Sequence, residues 1–530
     1  MSAVASPGTV SQDAHPLRLG GANDFARVAS LLTNARFDEA TIARTLDITS
    51  LADLGSVRRD QADLSPAPSA AHELLVRLFL LLQPTGRAEA EHTIDERTLG
   101  SLQALDLLRV GRTLEGADVY YASVLLYPVA GLLIASDRHH NADGSPFVVP
   151  PDVVFPAIFS GTLRFLRVIP KSPVRDALDL CSGTGIGAFV LSGHAERVVA
   201  ADLTARSTHF ARFNRLLNGC ANVEIVQGDL YEPVAGRTFD RIVAHPPYVP
   251  ALSQSQVFRD AGEAGESVLE QIVAGLPDHL RSGGTFVSVS AGWDTTEGPF
   301  EERIRRWLGD YAGEFDVILA EEQEMSPAQV ARWLSDKAAG GDPEVRERFE
   351  ERFTSAALER NVYGAIVVHR GDPAGSGGKP VTVRLRMSEL TDGPALEWAL
   401  RWQRWRSAKQ AAGELEQALL GATLCLGAGL QVKTLHVVED GRLVQAGTVL
   451  ESEKPLLAAT KIEPWMLSVV AEFTGGRSAG EVHERARQSG ALPEGFGTGD
   501  FAAMVGAMIE RGYLNIDGEI IGDTQRALQP

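Results

Sequence analysis

The chain has 530 residues, 44% apolar and 22% charged, with a formal net charge of −19. That length exceeds one ordinary core and predicts roughly two to four domains, while the acidic balance argues against a protein that grips nucleic acid mainly through its phosphates. Cys181, Cys220 and Cys425 are the only cysteines and stand far apart, at no metal-ligand spacing; this excludes a disulfide framework and points to a reducing, cytoplasmic compartment.

Residues 1–15 lack the basic start and apolar core of a signal peptide and read as a disordered tail. Residues 16–140 read as a helical, winged-helix-like N-terminal domain. Apolar residues recur at helical spacing over Asp24–Thr33, Asp38–Thr45, Ala70–Leu82 and Thr98–Leu108. Short strand-like runs follow at Leu107–Val110 and Asp118–Tyr121. No basic recognition helix is visible, so an interaction module is favoured over a DNA reader. Val124–Ala135 is the most apolar stretch, but it is too short to span a bilayer and contains Pro128. It is expected in the core, and no membrane partner is expected. Arg138-His139-His140 has no carboxylate or cysteine at ligand spacing. It reads as a loop, and no metal is expected.

Residues 141–371 change character. Strand-length apolar runs occur at Ala177–Leu180, Val198–Ala201, Val223–Val226, Arg241–Ala244, Thr285–Val289, Phe315–Leu319 and Tyr363–Val368. Helix-compatible sequence separates them, which is the βαβ pattern of an α/β, doubly wound sheet. A Gly-rich linker over 372–380 leads to an α+β region, 381–530. That region begins with a strand candidate, Val381–Met387. A helix then carries Trp398, Trp402 and Trp405 on one face, with Arg401, Arg404 and Arg406 between them. Basic residues beside aromatics suit nucleic acid; a core-facing Trp stripe with solvated arginines is the favoured reading. Helical patterns at Pro464–Phe473, Ser478–Gln488 and Asp500–Arg511, then a strand region Tyr513–Ile521, give the C-terminus a winged-helix-like end.

Asp179-Leu-Cys181-Ser-Gly183-Thr-Gly185 follows a strand and opens a helix. Glycines there allow a tight turn and close backbone approach to a ligand. Gly183, Gly185 and Ala188 also fit a dinucleotide fingerprint, with Asp202 near the distance for a ribose. Asp179 stands where a nicotinamide-binding turn usually has only apolar strand. The form D-L-C-S-G-T-G resembles the first motif of class I methyltransferases, which bind S-adenosylmethionine. That resemblance implies a seven-stranded, Rossmann-like methyltransferase core between the flanking domains. It implies cofactor contacts from Asp179, Cys181, Gly183 and Gly185, from Asp202 and Leu203 at the ribose, and from Asp229 and Leu230 at the adenine. Ser145–Pro151 resembles the segment that closes over the cofactor in such enzymes, with Phe147 a candidate contact. Cys181 is expected as a packed thiol rather than a nucleophile.

The fourth strand ends in His245-Pro246-Pro247-Tyr248. Paired prolines cannot continue a central strand, so the chain leaves the sheet stiffly. The motif is similar to the Asn-Pro-Pro-Tyr of small-type N-methyltransferases. These include the release-factor glutamine methyltransferases and the adenine and guanine amino methyltransferases. The following Phe258–Glu266 loop and Leu280-Arg-Ser-Gly-Gly284 also look like the glutamine-methylating branch. In the family the Asn oxygen and the first proline carbonyl accept from the target nitrogen while the aromatic stacks on its planar group. His245, Pro246, Pro247 and Tyr248 are therefore implied as the catalytic set. The acceptor is expected to be a protein amide or amine nitrogen first, a nucleic-acid base second and a small metabolite third. Flanking domains are compatible with substrate reading or homo-oligomer formation. His245 departs from the family's Asn. A catalytically degenerate, cofactor-binding scaffold stands as the non-enzyme alternative. A free imidazole titrates near neutrality, so transfer that needs neutral His245 is predicted to vary between about pH 5.5 and 8.

Overall fold

A computed structural model describes residues 16–58, 61–113, 116–138, 149–252, 259–262, 264–371 and 378–516. Its contacts divide into two compact units. One takes the chain to Leu166 together with Pro173–His279, and the other takes Arg167–Ser172 together with Leu280 onward.

The first unit opens with helices Ala22–Asn34, Glu39–Leu46, Ala70–Phe79, Arg87–Thr93 and Glu96–Ala104. Their starts carry the residues that satisfy free helix N–H groups: Asp38, Ser69 and Asp95 each accept from the backbone three residues on. Thr85–Gly86, Asp118–Ala122 and Leu108–Arg112 then form a small antiparallel sheet in that order. The apolar stretch at Val124–Ala135 is a buried hairpin. Leu125–Val129 pairs with Leu132–Ser136 around Ala130 and Gly131, both at positive φ, the two-residue turn whose twist matches antiparallel strands.

Four parallel strands follow. They stand in the order Phe239–Ala244, Val174–Leu180, Ala195–Asp202 and Val223–Gln227. The chain winds outward from the first of these in sequence, Val174–Leu180, through the next two. It then returns to the opposite side of Val174–Leu180 for Phe239–Ala244. The crevice between Val174–Leu180 and Phe239–Ala244 is therefore the topological switch point, where open α/β sheets bind ligands beyond the carboxyl ends of their strands.

Helix Ala205–Asn218 packs behind this sheet and closes the edge of the hairpin with two side-chain amides. Asn214 accepts from Ala135 N at 2.8 Å and donates to Ala135 O at 3.0 Å. Asn218 does the same for Leu133, at 2.9 and 2.7 Å. One amide supplies both a donor and an acceptor, so each asparagine stands in for a residue of a neighbouring strand. Asn214 also donates to Thr184 O in the glycine-rich turn, at 3.0 Å.

In the second unit Leu280–Thr295 runs antiparallel to Leu358–Arg370, which runs antiparallel to Phe315–Met325. These three, with the four parallel strands of the first unit, make up the seven expected from sequence. The candidate strand after the linker also forms: Thr382–Arg386 lies parallel to Phe315–Met325. Arg384 on it is enclosed by Asp294, Glu301 and Glu321. The tryptophan helix spans Gly393–Ala411, with Trp398 and Trp402 buried. Arg404 pairs with Asp316 and Arg406 with Glu510, so these arginines serve the fold. Two features have no counterpart in the sequence reading. One is the helix pair Pro327–Ala339 and Pro343–Ser355. The other is a three-stranded sheet of Gln431–Glu439, Arg442–Ser452 and Ala458–Ile462. No helix among the described residues is long and apolar enough to cross a membrane.

Replacing fully buried Asn214 with Leu strands the polar groups of Ala135 and Thr184 that it now satisfies. Denaturant unfolding should show a loss of about 2–4 kcal/mol; a loss below about 1 kcal/mol would mean that water takes over its bonds.

Candidate functional site

The ends of all four parallel strands open into one cleft of about 640 Å³. At the first end, Asp179 is almost fully buried and its Oδ2 accepts from Ala188 N at 2.8 Å. This pins the start of helix Ile186–Ser192. A Cβ at Gly187 would lie 2.8 Å from that same oxygen, so only glycine fits there. Burial raises the Asp179 carboxyl to about 8, with the nearby Asp202 charge adding to the shift.

Asp202 ends the second strand and ties the two loops together. Its Oδ2 accepts from Gly183 N at 2.8 Å and its Oδ1 from Thr204 N at 3.1 Å. The Ser207 hydroxyl and the Leu203 backbone also interact with this carboxylate, and all of these bonds oppose the rise in its pKa that burial causes. Gly183 and Gly185 sit at φ +53° and +84°, the left-handed region that glycine enters without penalty. Cys181, also in this turn, adopts φ +57° despite its side chain. Its thiol is pushed well up by burial and by the surrounding Asp202, Asp179 and Asp229 carboxylates, which keeps it protonated. Leu203, half exposed, and Leu230 line the cleft beside the exposed Asp229.

His245, Pro246, Pro247 and Tyr248 form the opposite wall. The His245 ring lies nearly parallel to Phe165, with centroids 5.2 Å apart and planes 14° apart. Tyr248 stands 5.9 Å away at 37°. His245 Nε2 is buried and has no hydrogen-bond partner. Burial among these rings lowers its pKa from the usual 6.5 to about 4. The imidazole is therefore neutral at physiological pH, and its Nε2 is left without a protein partner.

The loop after Tyr248 is strapped to the segment that follows it. Val249 N donates to Arg259 O, Ala261 N to Val249 O and Ala251 N to Gly262 O. Gly265, at φ +81°, packs so closely that a Cβ would meet Tyr248 O at 2.5 Å. The glycine-rich loop thus fixes the backbone that carries the prolines.

Of the residues expected from sequence, Asp179, Cys181, Gly183, Asp202, Leu203, Asp229, Leu230 and the His245–Tyr248 set all line this cleft. Gly185 does not: it caps the helix and packs on Phe189 and Ala211. Phe147 lies outside the described residues, as do His139 and His140. Sequence reasoning missed Ser182, a residue of the cleft lining whose buried Oγ has no protein partner. It also missed Phe155, Phe159 and Phe165, which read only as ordinary core aromatics. No group of His, Cys, Asp and Glu among the described residues is arranged to hold a metal.

Two carboxylates at strand ends, an unpartnered hydroxyl at Ser182 and a turn that admits no Cβ at Gly187 suit a ligand with ribose hydroxyls and a polar tail. S-adenosylmethionine is such a ligand. The methyltransferase small domain family matches residues 156–297. The release factor glutamine methyltransferase of Moorella thermoacetica is 31% identical over 217 residues, covering 35% of this chain and 73% of that protein. The enzyme of the same name from Xylella fastidiosa is 36% identical over 143 residues, 24% of this chain and 51% of the relative. A ribosomal protein uL3 glutamine methyltransferase from Bradyrhizobium diazoefficiens is 26% identical over 199 residues, 33% and 62% of the two chains. The chain thus spans about half the length of the Xylella relative. Cleft, strand order and kinship agree: the chain belongs to the S-adenosylmethionine-dependent methyltransferases of the small-domain family, alongside the release factor glutamine methyltransferases.

Proposed function

We propose that the chain is a cytoplasmic N-methyltransferase that acts on a side-chain amide nitrogen of a protein, of the glutamine type. The observation that carries this reading is the unpartnered, buried Nε2 of His245, a residue that lines the same cleft as Asp202 and Asp179. A primary amide offers two N–H donors and a planar face. Neutral His245 accepts one N–H at Nε2, the Pro246 carbonyl accepts the other, and Tyr248 covers the plane. The two prolines hold this geometry without a strong base, so the gain is positioning rather than proton abstraction.

When bound, S-adenosylmethionine would supply a sulfonium methyl, an electrophilic carbon that the amide nitrogen takes while sulfur keeps the electron pair. Asp202 would hold its ribose hydroxyls, Asp229 its adenine and Ser182 its polar tail. The methylated nitrogen is strongly acidic and gives its extra proton to water. His245 remains neutral throughout.

The relatives that act on release factor and ribosomal proteins support the protein reading. A nucleic-acid acceptor has less support, because Arg404 and Arg406 are engaged by acids of the fold and the net charge is −19. The scaffold reading, which would keep the same cofactor carboxylates, is disfavoured by the kinship with named methyltransferases.

Labelled methyl transfer into fractionated cell extract should give protease-sensitive label. Label in the nuclease-sensitive fraction would sink the amide reading. Asp202→Ala should weaken S-adenosylhomocysteine binding about 30–100-fold by calorimetry; unchanged binding would remove Asp202 from the cofactor site.

The pH expectation from sequence is revised. A free histidine titrates near 6.5, but burial places His245 at about 4. The transfer rate should therefore be flat from about pH 5.5 to 7, below the titration of Asp179 at about 8, and fall as pH approaches about 4. The stability side has the same sign. The unfolded chain binds the proton more readily than the folded one, so the contribution is full above 6.5 and is lost as pH falls towards about 4. A His245 resonance that titrates near 6.5 by NMR would refute the assignment.

A further inference from the structure

The rim of the cleft carries two exposed phenylalanines on a segment that is otherwise buried. Val153, Val154, Ala157 and Ile158 are turned inward, while Phe155 and Phe159 retain 45% and 36% exposure. Their rings stack at 4.7 Å with planes 26° apart, and both line the cleft. Exposed aromatic pairs at a cavity mouth mark surface that a ligand covers.

These rings cannot turn inward, because the backbone between them is clamped. Val154 N donates to Asp137 Oδ2 at 2.8 Å, Asp137 N donates to Val154 O at 3.1 Å, and Ala157 N donates to the hydroxyl of Tyr127 at 2.7 Å. Tyr127 is fully buried in the hairpin Leu125–Val129/Leu132–Ser136. Asp137 is itself held by the Arg206 guanidinium, which donates to both carboxylate oxygens.

The lip also leads towards the acceptor wall. It runs directly into helix Ser160–Val168, whose Phe165 lies over His245. The cofactor wall has its own apolar rim in Leu203. We propose that Phe155 and Phe159 select the acceptor. The stacked pair takes up an apolar side chain next to the methylated residue in a protein segment. Tyr127 and Asp137 are positioning residues that hold the pair outward. This rests on the amide reading given above and adds to it the chemistry of the residue beside the target.

The test uses the full chain, labelled S-adenosylmethionine and synthetic peptides with a central glutamine flanked by Leu, Phe, Ser or Asp. Wild type should prefer Leu or Phe over Ser by about 10-fold or more in kcat/KM, and a Phe155→Ser/Phe159→Ser double variant should lose that preference to within about 2-fold. The double variant should bind S-adenosylhomocysteine within about 2-fold of wild type, and Tyr127→Phe should raise the peptide KM about 3-fold or more with kcat little changed. The proposal is overturned if wild type shows no preference for an apolar flank. It is also overturned if the double variant keeps the preference or loses S-adenosylhomocysteine binding, or if Tyr127→Phe lowers kcat at constant KM. Wild type that binds S-adenosylhomocysteine but labels no peptide overturns the amide reading itself, and the lip assignment with it. That failure is read from wild type alone, before any variant is compared.

Discussion

The cleft depends on a carboxylate that joins two strand ends. Asp202 receives Gly183 N on one oxygen and Thr204 N on the other. The turn after Val174–Leu180 and the turn after Ala195–Asp202 are thereby fixed to each other. Asp179 repeats the device one layer deeper by receiving Ala188 N. Burial raises the pKa of both acids, the Asp202 charge adds to the rise at Asp179, and the backbone N–H groups oppose it at each. The glycines follow from this arrangement: with carboxylate oxygens this close to the helix start, a side chain at Gly187 would collide with them.

The opposite wall is built by different means. No charge holds His245 in place; ring contacts with Phe165 and Tyr248 do. The prolines restrict the backbone, and Gly265 lets the following loop lie against Tyr248 O. One wall is thus polar and anchored through hydrogen bonds, while the other is aromatic and anchored by packing. That asymmetry fits a reaction between a charged, hydroxyl-rich donor and a neutral planar acceptor. Burial keeps the His245 imidazole uncharged at neutral pH, so the aromatic wall carries no charge at that position.

Much of the first unit was legible in the sequence, because its strands are short apolar runs that end in chemically distinctive residues. Asp179, Asp202, Asp229 and His245 could be placed at strand ends from spacing alone, and they do line one cleft. Less was legible where the signal was tertiary. Phe155, Phe159 and Phe165 look like any core aromatics until their neighbours are known. Gly185 matched the motif but serves the helix rather than the cleft. The sheet from Gln431 to Ile462 received no element, although Asp440-Gly441 is a hairpin signal and both residues adopt positive φ. The alternation on either side is imperfect: a bulge between Leu435 and His436 shifts the register and blurs the two-residue period. The pH behaviour of His245 was not readable at all, since a pKa belongs to the surroundings rather than to the residue.

The asparagine closure of the hairpin has a consequence for how this protein can be taken apart. Compositional change near residue 140 suggests a seam, and a methyltransferase core excised there would begin after the hairpin. Asn214 and Asn218 would then lose the strand whose backbone they complete, Arg206 would lose Asp137, and the lip would lose Tyr127. The excised piece would keep every residue of its signature motifs yet present a row of unsatisfied amides and a buried cation to water. The module does not stop at the hairpin: Phe25 of helix Ala22–Asn34 packs on Phe213 and the His209 ring meets Leu17 O, so a cut anywhere between Leu17 and the glycine-rich turn is penalised.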